Sequence, residues 1–124
     1  MIKLVFCVRK KEGITEGQFY DYWLNTHGPL VASHATSLKV KRYVQSHTRD
    51  SELGYAISSE RGMKVPGFDG IAELWWDSRE DLELALQTED GKSSGALLAE
   101  DEARFIDMEN STIFFTTEHT VFNS

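Results

Sequence analysis

The chain has 124 residues, a net charge of −7, 40% hydrophobic and 27% charged residues, and a single cysteine. That length suits one domain with one core, spanning 1–124, and the composition excludes a chain dominated by disorder. Phosphate backbones are held by clustered Lys and Arg, whereas the short run Arg9-Lys10-Lys11 is offset by Glu12 and Glu16, so nucleic acid is not an expected partner.

The apolar run Leu4 to Val8 is far shorter than the ~20 residues of a membrane helix. No signal-peptide pattern precedes it, and a cytoplasmic location with no membrane partner is expected. Cys7 has no second cysteine to pair with and reads as a buried, inert thiol in an apolar strand.

Residues 2 to 9 place Ile2, Leu4, Phe6 and Val8 on one side and Val5 and Cys7 on the other, which predicts a central strand. After Gly13, Thr15-Glu16-Gly17-Gln18 has the form of a capping box and starts a helix bearing Phe19 and Tyr22 or Trp23. Pro29 is expected to interrupt it, because its ring lacks an N–H and clashes with the Asn25 carbonyl. A second helical stretch then runs from Pro29 toward Ser37. Residues 38 to 47 predict a strand with one wet face. The segment 49 to 67, with Gly54, Gly62, Pro66 and Gly67, reads as a long surface loop.

Residues 68 to 77 alternate, so that Phe68, Gly70, Ala72, Leu74 and Trp76 share one face and Asp69, Ile71, Glu73 and Trp75 the other. Ser78, with Asp81 three residues on, caps a helix carrying Leu82, Ala85 and Leu86 and ending near Gly91. A further helix is expected from Ala96 to Asp107, with Leu97 or Leu98, Asp101 and Phe105 at helical spacing, and a last strand from Ile113 to Val121. This order is that of an α+β, ferredoxin-like split βαβ unit with a four-stranded antiparallel sheet. Such a sheet has helices on one face only, and its apolar opposite face predicts a homodimer.

Two blocks of sequence carry a resemblance to the EthD family: Phe19-Tyr20-Asp21-Tyr22-Trp23 with His27-Gly28-Pro29-Leu30-Val31, and Phe68 to Ser78 with Asp101 to Asp107. The likeness covers roughly residues 11 to 108 and implies a dimeric α/β barrel. The family's relatives include a protein needed for bacterial ether degradation, fungal anthrone dehydratases and a muconolactone isomerase. Reactions of the latter kinds need a proton moved next to a carbonyl, which a neutral imidazole can do without a cofactor.

His27 is the first candidate for that step, because it lies where Gly28-Pro29 breaks the helix, although a histidine there can also merely cap carbonyls. Tyr43, Gln45 and His47 share one strand face, where each can serve a pocket or equally be a solvated strand residue; the isomerase relatives resemble this arrangement, with a tyrosine and a histidine on this strand, and Tyr43 matches their pattern better than His47. Asp69 completes the catalytic set as a carboxylate able to orient an imidazole. Trp23, His47, Glu73 and Trp75 are expected to bind substrate, with a surface ion pair as the other reading of Glu73.

Metal ligation is not expected, since His27 and His34 stand about 10.5 Å apart along a continuous helix. No cysteine cluster, phosphate loop, dinucleotide fingerprint or nucleophilic-serine motif occurs, so no cofactor and no hydrolase chemistry are predicted. The expected function is a cofactor-independent lyase, cyclase or isomerase acting on an aromatic, quinone-like or polyketide-like molecule. The alternatives are a non-enzymatic small-molecule-binding accessory protein of an oxidative degradation pathway and a dimeric-barrel monooxygenase.

Overall fold

A computed structural model describes residues 1–124. The elements are β1 (Ile2–Val8), α1 (Glu16–Tyr22), a π-helical turn (Trp23–His27), α2 (Gly28–Leu38), β2 (Arg42–His47), α3 (Ser51–Glu60), β3 (Gly70–Trp76), α4 (Arg79–Gln87), α5 (Glu89–Glu102), a 3₁₀ turn (Met108–Asn110) and β4 (Thr112–Thr116). The four strands form one sheet in the order β2-β3-β1-β4 with every pairing antiparallel. This is the ferredoxin-like α+β fold that the element order predicts.

Strand alternation assigns the faces. Phe6 pairs with Ala72, and Tyr43 with Leu74; these four side chains point at the helices. There they meet Phe19 and Trp23 of the first helical run and Phe105 and Ile106, which follow α5, in the main core. A second cluster joins Val31 and Leu38 of α2 to Leu98 of α5. On the opposite face Val5, Val44, Ile71, Trp75 and Phe114 are neighbours with no helix above them.

Four expectations need correction. Pro29 does not end the first helix: the chain widens by one residue, the Gly28 N–H reaching the Trp23 carbonyl, and continues into α2. Proline then occupies a first-turn position, where its missing N–H has no helical partner to lose. The segment 49 to 67 is not wholly a loop, because Ser51–Glu60 is helical and carries Leu53 and Ile57 four residues apart. None of its residues is buried, so this helix has a stripe but no core beneath it.

Gly91 is likewise not a stop. Thr88 ends α4 and caps α5, its hydroxyl accepting the Gly91 N–H at 3.0 Å. The helix passes so close to α4 that a Cβ on Gly91 would lie 1.7 Å from the Ala85 carbonyl oxygen, and glycine is there for that approach. Helix α5 consequently runs over residues 89–102, ahead of the expected 96 to 107. Strand β4 stops at Thr116 rather than Val121, at the edge of the sheet where only β1 is available to pair with it. No helix is long and apolar enough to cross a membrane.

Candidate functional site

The π turn places His27 inside the molecule, at 4% exposure. Its Nδ1 lies 2.7 Å from Oδ2 of Asp101, near the end of α5. The other oxygen of Asp101 accepts from the Tyr22 hydroxyl at 2.5 Å and from the Arg104 guanidinium at 3.0 Å. Burial opposes ionisation of Asp101, but the hydrogen bonds from Tyr22, His27 and Arg104 outweigh it and hold the carboxyl below its usual range. An ionised Asp101 can only accept, so Nδ1 carries the proton and Nε2 of the neutral ring has a free lone pair. Burial lowers the imidazole pKa, and Asp101 recovers only part of that shift.

His27 lines a cavity of about 40 Å³ together with Trp23, Tyr43, Leu74, Leu98 and Glu102. That is room for a water-sized group among mostly apolar walls. The Tyr43 hydroxyl accepts from Gln45 Nε2 at 2.8 Å, and the same nitrogen donates to the Trp23 carbonyl of the π turn at 2.8 Å. Burial pushes the phenol pKa up, so Tyr43 is a neutral donor. Gln45 thus ties β2 to the widened helical turn and fixes two cavity residues at once.

The remaining site candidates separate from this centre. His47 donates from Nε2 to Gln45 Oε1 at 2.8 Å and is stacked between Trp23 and Tyr20, with ring centroids 4.6 and 5.1 Å away. It serves as an aromatic plate behind the cavity. The approach is tight: a Cβ on Gly70 would come within 2.6 Å of the Trp23 ring, so the glycine makes room for the indole. Asp69 does not orient His27. Its carboxylate accepts the Lys10 amide at 2.6 Å, while its backbone carbonyl accepts from Tyr20 and Thr48, which pins the start of β3.

Glu73 and Trp75 lie on the opposite face of the sheet, because alternation along β3 turns Ala72 and Leu74 toward the cavity and their neighbours away from it. Glu73 pairs with Lys3 at 2.7 Å, and the Trp75 indole donates to Glu118 at 3.1 Å with the Arg42 guanidinium over its ring. A larger groove, about 460 Å³, runs between β4 and α4 over Ile2, Leu82, Leu86 and Phe115. Its charged groups, Arg79 and Glu83, neutralise each other at 2.7 Å, so size and chemistry are found in different places.

Sequence reasoning missed the two acids of the site, Asp101 and Glu102. Asp101 occupies a core-facing helical position, and an acid there needs a buried partner; that was the available signal. Glu102 follows it and shares the His27 cavity. Burial, with Asp101 adding repulsion, raises its pKa to about 7.

The family model of the EthD domain matches residues 11–109. The chain belongs to the EthD family. Among solved structures, an EthD family protein from Bacillus halodurans is similar over 96% of this chain and 99% of its own, with 21% identity and a TM-score of 0.63. A dimeric ferredoxin-like protein of unknown function from Thermobifida fusca matches over 94% and 90%, with 10% identity and a TM-score of 0.55. SnoaB from Streptomyces nogalater, a cofactor-independent oxygenase, matches over 99% and 97%, with 12% identity and a TM-score of 0.54. At these identities the likeness is one of fold. No curated protein matches this EthD chain.

Proposed function

We propose that this EthD protein is a cofactor-independent lyase, cyclase or isomerase that moves a proton next to a carbonyl of an aromatic, quinone-like or polyketide-like molecule. The observation that carries this reading is the His27–Asp101 pair in the lining of an apolar cavity, with an ionised carboxylate on Nδ1 and no hydrogen bond at Nε2. That arrangement is a general base with its tautomer fixed. Tyr43 stands in the same cavity as a neutral hydrogen-bond donor to the substrate. At its present size the cavity admits only the reacting edge of such a molecule. A second copy of the chain covers the open sheet face.

The test is turnover of a panel of anthrones, quinones and lactones by the wild type and by His27→Gln. The glutamine keeps a hydrogen-bonding group beside Asp101 but cannot take a proton near neutral pH. A loss of about 100-fold or more in kcat with melting temperature and mass retained is the expected outcome. Full activity in that variant rules the reading out. His27→Ala is less useful, because it also deprives buried Asp101 of a donor.

A second reading has one observation in its favour, the fold shared with a cofactor-independent oxygenase. On this reading the same deprotonation comes first, and the carbanion's electrons then pass to O₂. Oxygen uptake during turnover favours it over the first reading. Binding across the panel without turnover, unaltered by His27→Gln, leaves an accessory binding protein.

A further inference from the structure

We propose that Glu102 is the proton donor of the cavity, presenting a neutral carboxyl to the oxygen of an enolisable carbonyl substrate whose carbon acid faces His27. This rests on the proton-transfer reading above and adds its missing half. Two consecutive carboxyls end α5, and the structure gives them opposite environments. Asp101 accepts three hydrogen bonds from Tyr22, His27 and Arg104. No side-chain hydrogen bond stabilises the Glu102 carboxylate, and Glu102 lines the same apolar cavity as His27 and Tyr43. When adjacent acids are pushed apart in this way, one remains a charge and the other becomes a proton donor near neutrality.

The groups facing Glu102 support that division. His27 approaches from the π turn, Tyr43 from β2 and Asp101 from its own helix, while β1 and β3 bring only apolar side chains to the lining. No cation lines the cavity to favour a Glu102 carboxylate. Its pKa of about 7 matches a general acid to neutral solution, and Tyr43, whose phenol is held above its usual range, is the weaker acid of the two.

The step balances without a further reagent. His27 Nε2 takes the proton from the carbon next to the carbonyl, and the C–H electron pair becomes the C=C bond. The carbonyl π pair moves onto oxygen, which takes the Glu102 proton. The enol stands between an imidazolium and a carboxylate. Return of the carbon-bound proton to a different position, with Glu102 recovering its own from the enol hydroxyl, gives the isomer.

Two measurements on the full-length protein test this. The first is a ¹³C NMR titration with glutamate labelled at its side-chain carboxyl: one resonance should titrate near pH 7, and Glu102→Gln should remove it. If every glutamate titrates below about pH 5, the proposal fails. The second is deuterium exchange into 2-tetralone, an enolisable benzo-fused ketone, followed by proton NMR. The wild type should accelerate exchange, with a rate that falls as pH rises through about 7. Glu102→Gln should lose about 100-fold and flatten that limb, and Glu102→Asp should recover part of the rate. Exchange abolished by His27→Gln but unchanged by Glu102→Gln overturns the role of Glu102 alone. A wild type that exchanges no faster than buffer overturns the proton-transfer reading and this proposal together.

Discussion

The two faces of the sheet use charged residues in opposite ways. On the helix side Asp101 is buried at 3% exposure, and its oxygens accept from Tyr22, His27 and Arg104. On the open side Lys3, Arg42, Glu73 and Glu118 gather around Trp75, with Glu118 at the water. Buried charge has few partners and a fixed geometry, so its removal leaves donors stranded. Charge near solvent is screened and can be replaced by water. On the reading proposed above, the helix side is the place for chemistry and the open side the place for association.

The largest effect is expected on the open side and concerns mass. Phe114 of β4 is 46% exposed and adjoins Val5 across the pairing of β1 with β4. A surface of this kind stays wet only at a cost in solubility, and the expected cover is a second copy placed symmetrically. Light scattering at micromolar concentration should give twice 14.1 kDa for the wild type and 14.1 kDa for Phe114→Asp, with the far-UV spectrum preserved. A wild type that runs as a monomer breaks this half of the comparison.

On the helix side Asp101→Asn should cost roughly 3 kcal/mol in urea unfolding, the upper end of the scale for weakening hydrogen bonds to a buried charged acceptor. The pH dependence separates this from a packing defect. The folded-state pKa of Asp101 is depressed, so its stabilisation is complete above the ordinary carboxylate pKa of 3.8 and is lost as pH falls through the lower folded value. The wild type should therefore lose stability below about pH 4 more steeply than the variant. Parallel acid limbs in the two proteins would mean that Asp101 is not the anchoring charge.

These contrasts also show what could be read from the chain and what could not. The capping box at Thr15 and the alternation of residues 68 to 77 are local patterns, and each positions an element that the structure contains. His27 announces itself through Gly28-Pro29, although the widened turn that accommodates the proline, and buries the ring, depends on the Trp23 carbonyl meeting Gly28 and Gln45. Its partner Asp101 is 74 residues away, and nothing in the spacing links them. Asp69, a carboxylate at the edge of an alternating strand, is the acid the sequence points to, but its oxygen is engaged by the Lys10 amide. The helix at Ser51–Glu60 escaped because its glycine and serine content masks a two-residue stripe with no core beneath it.

The smallest expected effect belongs to Glu73, and its smallness is informative. Its carboxylate is 2.7 Å from Lys3, with side-chain exposures of 18% and 14%, so contact distance alone would suggest a strong pair. Lys3 has a second acid within reach, Glu118 at 3.5 Å, which is 61% exposed and can move toward the ammonium when Glu73 is neutralised. Its pKa is raised chiefly by the hydrogen bond to Glu73, but Glu118 contributes as well. In the monomeric Phe114→Asp background, where no second copy covers this face, Glu73→Gln should therefore cost less than about 1 kcal/mol, the range of solvent-accessible pairs, and the loss should shrink further in high salt. The residue faces away from His27, so proton exchange by the variant should equal that of the wild type. A loss as large as that of Asp101→Asn, or a change in exchange rate, would show that the open face is sealed more tightly than a single chain implies, or that it reaches the cavity through β3. Either result would erase the distinction between the two faces.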